Sequence, residues 1–190
     1  MDWLPELHRP PRRSPQPGDL LVSSPALSDP RFRRTIVYLL QHDDEGSAGV
    51  VINRRFERSL AGLDLPAWVI DSAAVREGGP VSDDSLLALA STETAPSHLR
   101  RAVGPQVCVV DLDEITDEEQ FQPLQLFVGY AGWSGGQLAG EISRDDWLVV
   151  SADPYDVLTT DPDRVWDRVL RRQKGNIRLW ATLPESMSAN

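Results

Sequence analysis

Short apolar runs closed by glycine, proline or acidic residues recur along this chain, and most are too short for helices. Residues 19–23, 34–41, 48–53, 107–111 and 147–151, rich in Val, Ile, Leu and Tyr, read as strands. Residues 75–81 read as a strand interrupted by Gly78-Gly79-Pro80, and residues 85–90 as another short strand with helix as the alternative. His42-Asp43-Asp44-Glu45-Gly46 starts acidic and ends on glycine, which predicts a tight turn and makes residues 34–53 an antiparallel hairpin. Helical spacing is clearest over residues 163–174, where Val165, Trp166, Val169 and Leu170 share one face. A short helix is expected over residues 59–63, and Thr116-Asp117-Glu118-Glu119 has a capping-box pattern.

The apolar run 124–128 leads into Gly129-Tyr130-Ala131-Gly132-Trp133-Ser134-Gly135-Gly136-Gln137-Leu138, which predicts a glycine-rich turn opening a helix to about residue 143. Gly132-x-Ser134-x-Gly136 matches the letters of a hydrolase nucleophile elbow. In that fold the histidine base follows the serine, whereas His8, His42 and His98 all precede Ser134. Ser134 and Gln137 instead form a capping-box pattern, with Ser134 as N-cap.

Composition narrows the function classes. At 190 residues the chain is long enough for one domain with a sizeable core, expected over residues 18–182. The proline- and arginine-rich residues 1–17 read as a disordered leader and residues 183–190 as a tail. Twenty-nine acidic against 19 basic side chains give a net charge of -10, which disfavours sequence-independent binding to duplex DNA. The single cysteine, Cys108, lies in an apolar run and reads as a buried core residue. No run approaches a membrane span or a signal-peptide core, so a cytoplasmic protein is expected. The turn His42 to Glu45 offers oxygen and nitrogen ligands, but adjacent residues rarely converge on one ion, so a solvated acidic turn is the preferred reading. Arg171, Arg172 and Lys174 suit a helix C-terminus, with a docking patch for an acidic partner as the alternative. No metal or cofactor is implied.

Gly18-Asp19-Leu20-Leu21-Val22, Asp29-Pro30-x-Phe32, Arg34-Thr35-Ile36-Val37, the 42–46 turn, Gly49-Val50-Val51-Ile52-Asn53-Arg54, Gly78-Gly79-Pro80-Val81 and Gly129-Tyr130-Ala131-Gly132-Trp133 are similar in order and spacing to one family. The chain resembles the YqgE/AlgH family of small bacterial proteins. That resemblance spans roughly residues 18–180 and implies an α+β fold, a mixed, partly barrel-like sheet with flanking helices in a single domain. It also implies a transcriptional regulator of unestablished molecular function, associated with a Holliday-junction-resolvase-like protein. Three positions depart from the family pattern. Arg55 follows Asn53-Arg54 in place of proline, Leu89-Ala90 replaces a Leu-His pair, and Ala139 stands where an acidic residue follows Gly-Gln-Leu.

These residues favour a non-enzymatic regulatory or interaction protein acting through a protein partner or small ligand. Its expected surface joins the Gly78-Gly79-Pro80 and Gly129 to Trp133 turns, with Tyr130 and Trp133 as aromatic contacts. Two alternatives stay open: a direct DNA-binding regulator using residues 9–13 and 171–174, and a hydrolytic or metal-assisted enzyme using Ser134 or the 42–45 turn.

Overall fold

The computed structural model describes residues 13–59, 75–98, 100–115 and 123–183. Its strands are β1 (Asp19–Ser23), β2 (Ile36–His42), β3 (Gly46–Val51), β4 (Val75–Glu77), β5 (Val81–Ser91), β6 (Arg100–Ala102), β7 (Val107–Val110), β8 (Leu124–Ser134) and β9 (Trp147–Ser151). They form one sheet in the order β6-β7-β5-β8-β3-β2-β1-β9, antiparallel throughout, while β4 pairs parallel with β8 off this path. Among the described residues three short α-helices flank it: α1 (Gln137–Ser143), α2 (Pro154–Leu158) and α3 (Val165–Arg171). The fold is α+β, as the family resemblance implies.

The sheet curls without closing into a barrel. Val103 and Val107, beside the β6–β7 turn, share a core with Leu20, Val22 and Tyr38 from β1 and β2. There the backbones come so close that a Cβ on Gly18 would sit 3.1 Å from the Gly104 Cα. The α2 and α3 residues Val157, Val165, Trp166, Val169 and Leu170 complete this inner core. On the other face Leu138 of α1 covers Leu21, Val37, Leu39, Val51, Ala131, Trp133 and Trp147. Alternation along β1 explains the division, since Leu20 and Val22 point one way and Leu21 the other.

The 34–53 hairpin forms as its pattern predicts, β2 pairing antiparallel with β3 and slipping register once between Leu39 and Gln41. Asp43 closes the turn by accepting from the Glu45 and Gly46 N–H groups at 2.9 and 3.1 Å. The Gln41 amide hydrogen-bonds to the same carboxylate and, with these turn bonds, holds its pKa below the usual value. Residues 75–81 form two strands rather than one, because β4 and β5 lie on opposite sides of β8. Helix α3 buries all four residues assigned to its inner face, and a 3-10 turn at Pro162–Arg164 leads into it. Cys108 is buried, and desolvation pushes its thiol pKa up.

Two local expectations are corrected. The glycine-rich stretch is strand up to Ser134, because Gly129 and Gly132 lie inside the 11-residue β8 and the turn is confined to Gly135 and Gly136. The N-cap of α1 is Gly136, at φ 75°, not Ser134. The Gln137 Oε1 accepts from both the Ser134 N–H and the Ser134 hydroxyl at 3.1 Å, so the serine oxygen donates to a side chain instead of accepting from the helix backbone. Residues 60–63 of the expected short helix, the 116–119 capping pattern, residues 1–12 and residues 184–190 lie outside the described residues. Residues 13–17 are described, and Arg13 and the Gln16 N–H both bond to the Asp19 carboxylate.

Candidate functional site

Gly78, Gly79 and Pro80 carry the chain across β8. Glu77 pairs with Val128 on one side of β8, and Val81 pairs with Tyr130 on the other. The link between them passes over Gly129, leaving no room for side chains at the crossing. A Cβ on Gly78 would lie 2.1 Å from the Gly129 carbonyl oxygen, and one on Gly79 would lie 2.2 Å from the Tyr130 carbonyl carbon. Gly129 itself sits at φ 70°, a left-handed conformation that glycine adopts without steric cost.

The structure therefore brings Gly78, Gly79, Pro80 and Tyr130 together, but sends Trp133 to the other face of the sheet. Tyr130 packs against the inner core, whereas Trp133, three positions along the strand, is buried under α1. There Trp133 and Trp147 meet edge to face with ring centroids 5.9 Å apart, and Phe32 closes the cluster. Both indole N–H groups donate to the same Glu141 Oε2, at 2.9 and 2.8 Å. The Gln137 amide donates to Glu141 Oε1 at 2.9 Å. Glu141 was not singled out from the sequence; its signal was its place one turn after Gln137 on the helix. Glu141→Ala leaves two almost buried indole donors without an acceptor, an expected loss of about 2–3 kcal/mol. Urea unfolding would measure that loss, and tryptophan emission would shift with it.

The motif Asn53-Arg54 ties the open end of the β2–β3 hairpin. The Asn53 Oδ1 accepts from the Ile36 N–H and its Nδ2 donates to the Arg34 carbonyl, both at 2.8 Å. This fork holds Arg34 at φ 51°. Arg54 donates to the Thr35 Oγ1 at 2.9 Å, and the Thr35 N–H donates to the Ser23 Oγ at 2.8 Å. Beyond this knot lies an open cleft of about 530 Å³, lined by Asn53, Arg54, Arg55, Phe56, Glu57, Arg58, Glu77 and Asp163. Arg55 grips Asp163 through Nε and Nη2, at 3.0 and 2.8 Å to Oδ2, and Arg58 lies over the Phe56 ring. The Asp163 carboxylate holds the Arg55 pKa above its ordinary value. Three arginines within residues 54–58 were the sequence signal for this cleft.

Two buried charges brace the layer behind it. Arg76 of β4 is 1% exposed and donates to the carbonyls of Ile52 at 2.8 Å, Val157 at 3.0 Å and Thr159. Its guanidinium lies 5.7 Å from the centroid of the Phe127 ring, and no described carboxylate pairs with it. Burial, reinforced by the like charges of Arg168 and Arg55, lowers its pKa to about 9, which leaves it cationic at neutral pH. Asp156, fully buried, receives Arg168 at 3.0 Å and Arg172 at 2.5 Å. Part of the basic group at the end of α3 thus serves the interior.

The residues of the enzymatic alternative lie at one end of the sheet, where Ser134 pairs with Gly46 beside the 42–45 turn, but each is engaged by a partner of its own. Ser134 is exposed at the end of β8 and bonded to Gln137, while the His42 Nδ1 lies 2.7 Å from the Ser47 Oγ across the hairpin. Asp43 is engaged by its own turn. Among the described residues no three His, Cys, Asp or Glu side chains converge in a way that could hold a metal.

The profile of a family described as AlgH-like matches residues 20–178, the span that holds the crossing, the hairpin knot and the Glu141 cluster. The chain belongs to the AlgH-like family. Among its relatives, a UPF0301 protein of Rhodococcus erythropolis is 42% identical over 92% of this chain and 91% of that protein. One from Streptomyces coelicolor is 42% identical over 91% and 94%. Among solved structures, a crystal structure of a protein from Corynebacterium diphtheriae superposes with a TM-score of 0.79 at 28% identity, covering 90% of this chain and 94% of that one. The solution structure of the AlgH protein from Pseudomonas aeruginosa gives a TM-score of 0.69 at 26% identity, over 91% and 97%. Among the described residues no helix is long and apolar enough to cross a membrane.

Proposed function

We propose that this AlgH-like protein is a non-enzymatic regulatory protein, acting in transcriptional control through a protein partner that docks in the cleft beside Arg54. The carrying observation is the cleft itself, where cationic, anionic and aromatic side chains of residues 53–58 stand with Glu77 and Asp163 around an open volume of about 530 Å³. Mixed charge around an aromatic ring suits a polar protein segment, because opposite charges fix its register and the ring gives it apolar area. The motif glycines, by contrast, are used in the chain crossing. A partner of the Holliday-junction-resolvase-like type is the first candidate, on the family resemblance.

Cross-linking and affinity capture from cells, with the wild-type chain and with Glu57→Lys/Arg58→Glu, test this reading. One stoichiometric protein held by the wild type and reduced at least tenfold in the variant supports it. Equal recovery with both chains would remove the cleft from consideration. Recovery of a specific DNA fragment without that protein would favour direct DNA binding, against the long-range repulsion of the net -10 charge.

A further inference from the structure

Strands β6 and β9 end the sheet, and they end it differently. β6 is three residues long and carries Arg100 and Arg101, and such shortness and charge discourage further pairing. β9 has five residues, Trp147-Leu148-Val149-Val150-Ser151, with no charge and no proline. It pairs with β1 along its whole length.

The register shows which β9 backbone groups face outward. The Ser24 N–H donates to the Asp146 carbonyl at 2.8 Å, in line with the ladder that pairs Ser23 with Trp147. Antiparallel bonding alternates, so Leu148 and Val150 turn their N–H and C=O toward β1, and Trp147, Val149 and Ser151 turn theirs away. Arg172 donates to the outward Ser151 carbonyl at 3.0 Å. Among the described residues the outward groups of Trp147 and Val149 have no partner.

We propose that β9 pairs antiparallel with β9 of a second copy, about a two-fold axis at Val149. Trp147 then lies opposite Ser151 of the other copy, and all outward groups fall into hydrogen-bonded pairs. The same register sets Ala152 opposite Asp146 of the other copy. Arg172, whose Nη2 sits between the Ser151 carbonyl at 3.0 Å and the buried Asp156 at 2.5 Å, lies beside that carboxylate as well, and symmetry repeats the contact. Asp146 is held near the edge in the single chain by Arg144 at 3.0 Å. An unrelated extended strand would meet the open backbone groups without this reciprocal charge pair, which favours a second copy as the occupant.

Sedimentation equilibrium of the full chain from about 1 to 500 µM, a range spanning ordinary dimer affinities, tests the pairing. Val149→Pro removes one outward N–H and leaves the β1 ladder intact, because proline is tolerated where the missing donor faces out of the sheet. Asp146→Lys reverses the proposed charge contact while keeping the carbonyl that receives Ser24. The wild type is expected to dimerise, and each folded variant to do so at least tenfold more weakly. Should Val149→Pro not fold, Asp146→Lys decides. A wild-type chain monomeric across the range, or folded variants that dimerise as the wild type does, would overturn the proposal.

Discussion

Truncating Arg76 to alanine is expected to cost about 3–5 kcal/mol of folding stability, measured by urea unfolding. The substitution removes the donors that join three backbone carbonyls from two separate parts of the chain, Ile52 on one side and Val157 and Thr159 on the other. It also opens a cavity against Phe127, which lies under the guanidinium. The native arrangement is not cheap, since a cation 1% exposed has lost its hydration without gaining a described carboxylate. Backbone oxygens compensate because two of them end α2, where carbonyls lack helical partners and the helix dipole is negative. Arg76→Lys keeps the charge and loses the planar fork, so it is expected to fall between the wild type and alanine. A cost below about 1 kcal/mol for Arg76→Ala would show that the three carbonyls find other donors, and the bracing role would be lost.

Gly78→Ala is the second large effect, a loss of about 3 kcal/mol or more and, at the high end, failure to fold. The added methyl would stand 2.1 Å from the Gly129 carbonyl oxygen, a fixed backbone atom. Relief requires separating the crossing segment from β8, which weakens the Gly78 N–H bond to the Val128 carbonyl at 2.7 Å. Gly136→Ala supplies the control. Its φ of 75° is also left-handed, but a Cβ there meets nothing within 4 Å, so only a conformational cost of about 1–2 kcal/mol is expected. Equal unfolding midpoints for the two variants would mean that close approach at the crossing has no special role.

The strands were legible where alternation and turn residues agreed, as in residues 34–53, because each side chain's face follows from local geometry. The face of α3 was legible for the same reason at helical period. The course of residues 75–81 was not. Gly78-Gly79-Pro80 announces a break, but crossing to the far side of β8 depends on a strand that begins more than forty residues later. Gly129 to Trp133 misled through its glycines, which suggest a turn when read alone and become a strand once β4 and β3 take successive parts of one β8 edge. Ser134 misled through a pattern whose side chains do meet, but with the hydroxyl donating to the Gln137 side chain.

For the candidate site, the residue types were more legible than their surfaces. Tyr130 and Trp133 differ by an odd number of strand positions, so a correct strand assignment would have placed them on opposite faces. The cleft needed a third element, since Asp163 comes from the turn before α3 and reaches Arg55 only in the folded chain. Arg76 had no warning in composition, because an arginine is usually placed outside and its partners here are main-chain oxygens that no side-chain pattern records.

The sheet order also fixes the order in which this protein can be assembled as it is synthesised. β1, β2 and β3 can form a meander early, and β5, β6 and β7 can pair among themselves, but among the described strands β8 is the one that lies between β5 and β3. That strand ends at Ser134, so until most of its length has been made the emerging chain holds two half-sheets with open inner edges, linked through the bonds that residues 51–56 make with residues 75–78. β8 must then enter between β5 and β3 and pass beneath the Gly78 link. Such non-local closure is slow compared with hairpin formation, and its waiting period is when the nascent protein most needs shielding from other chains.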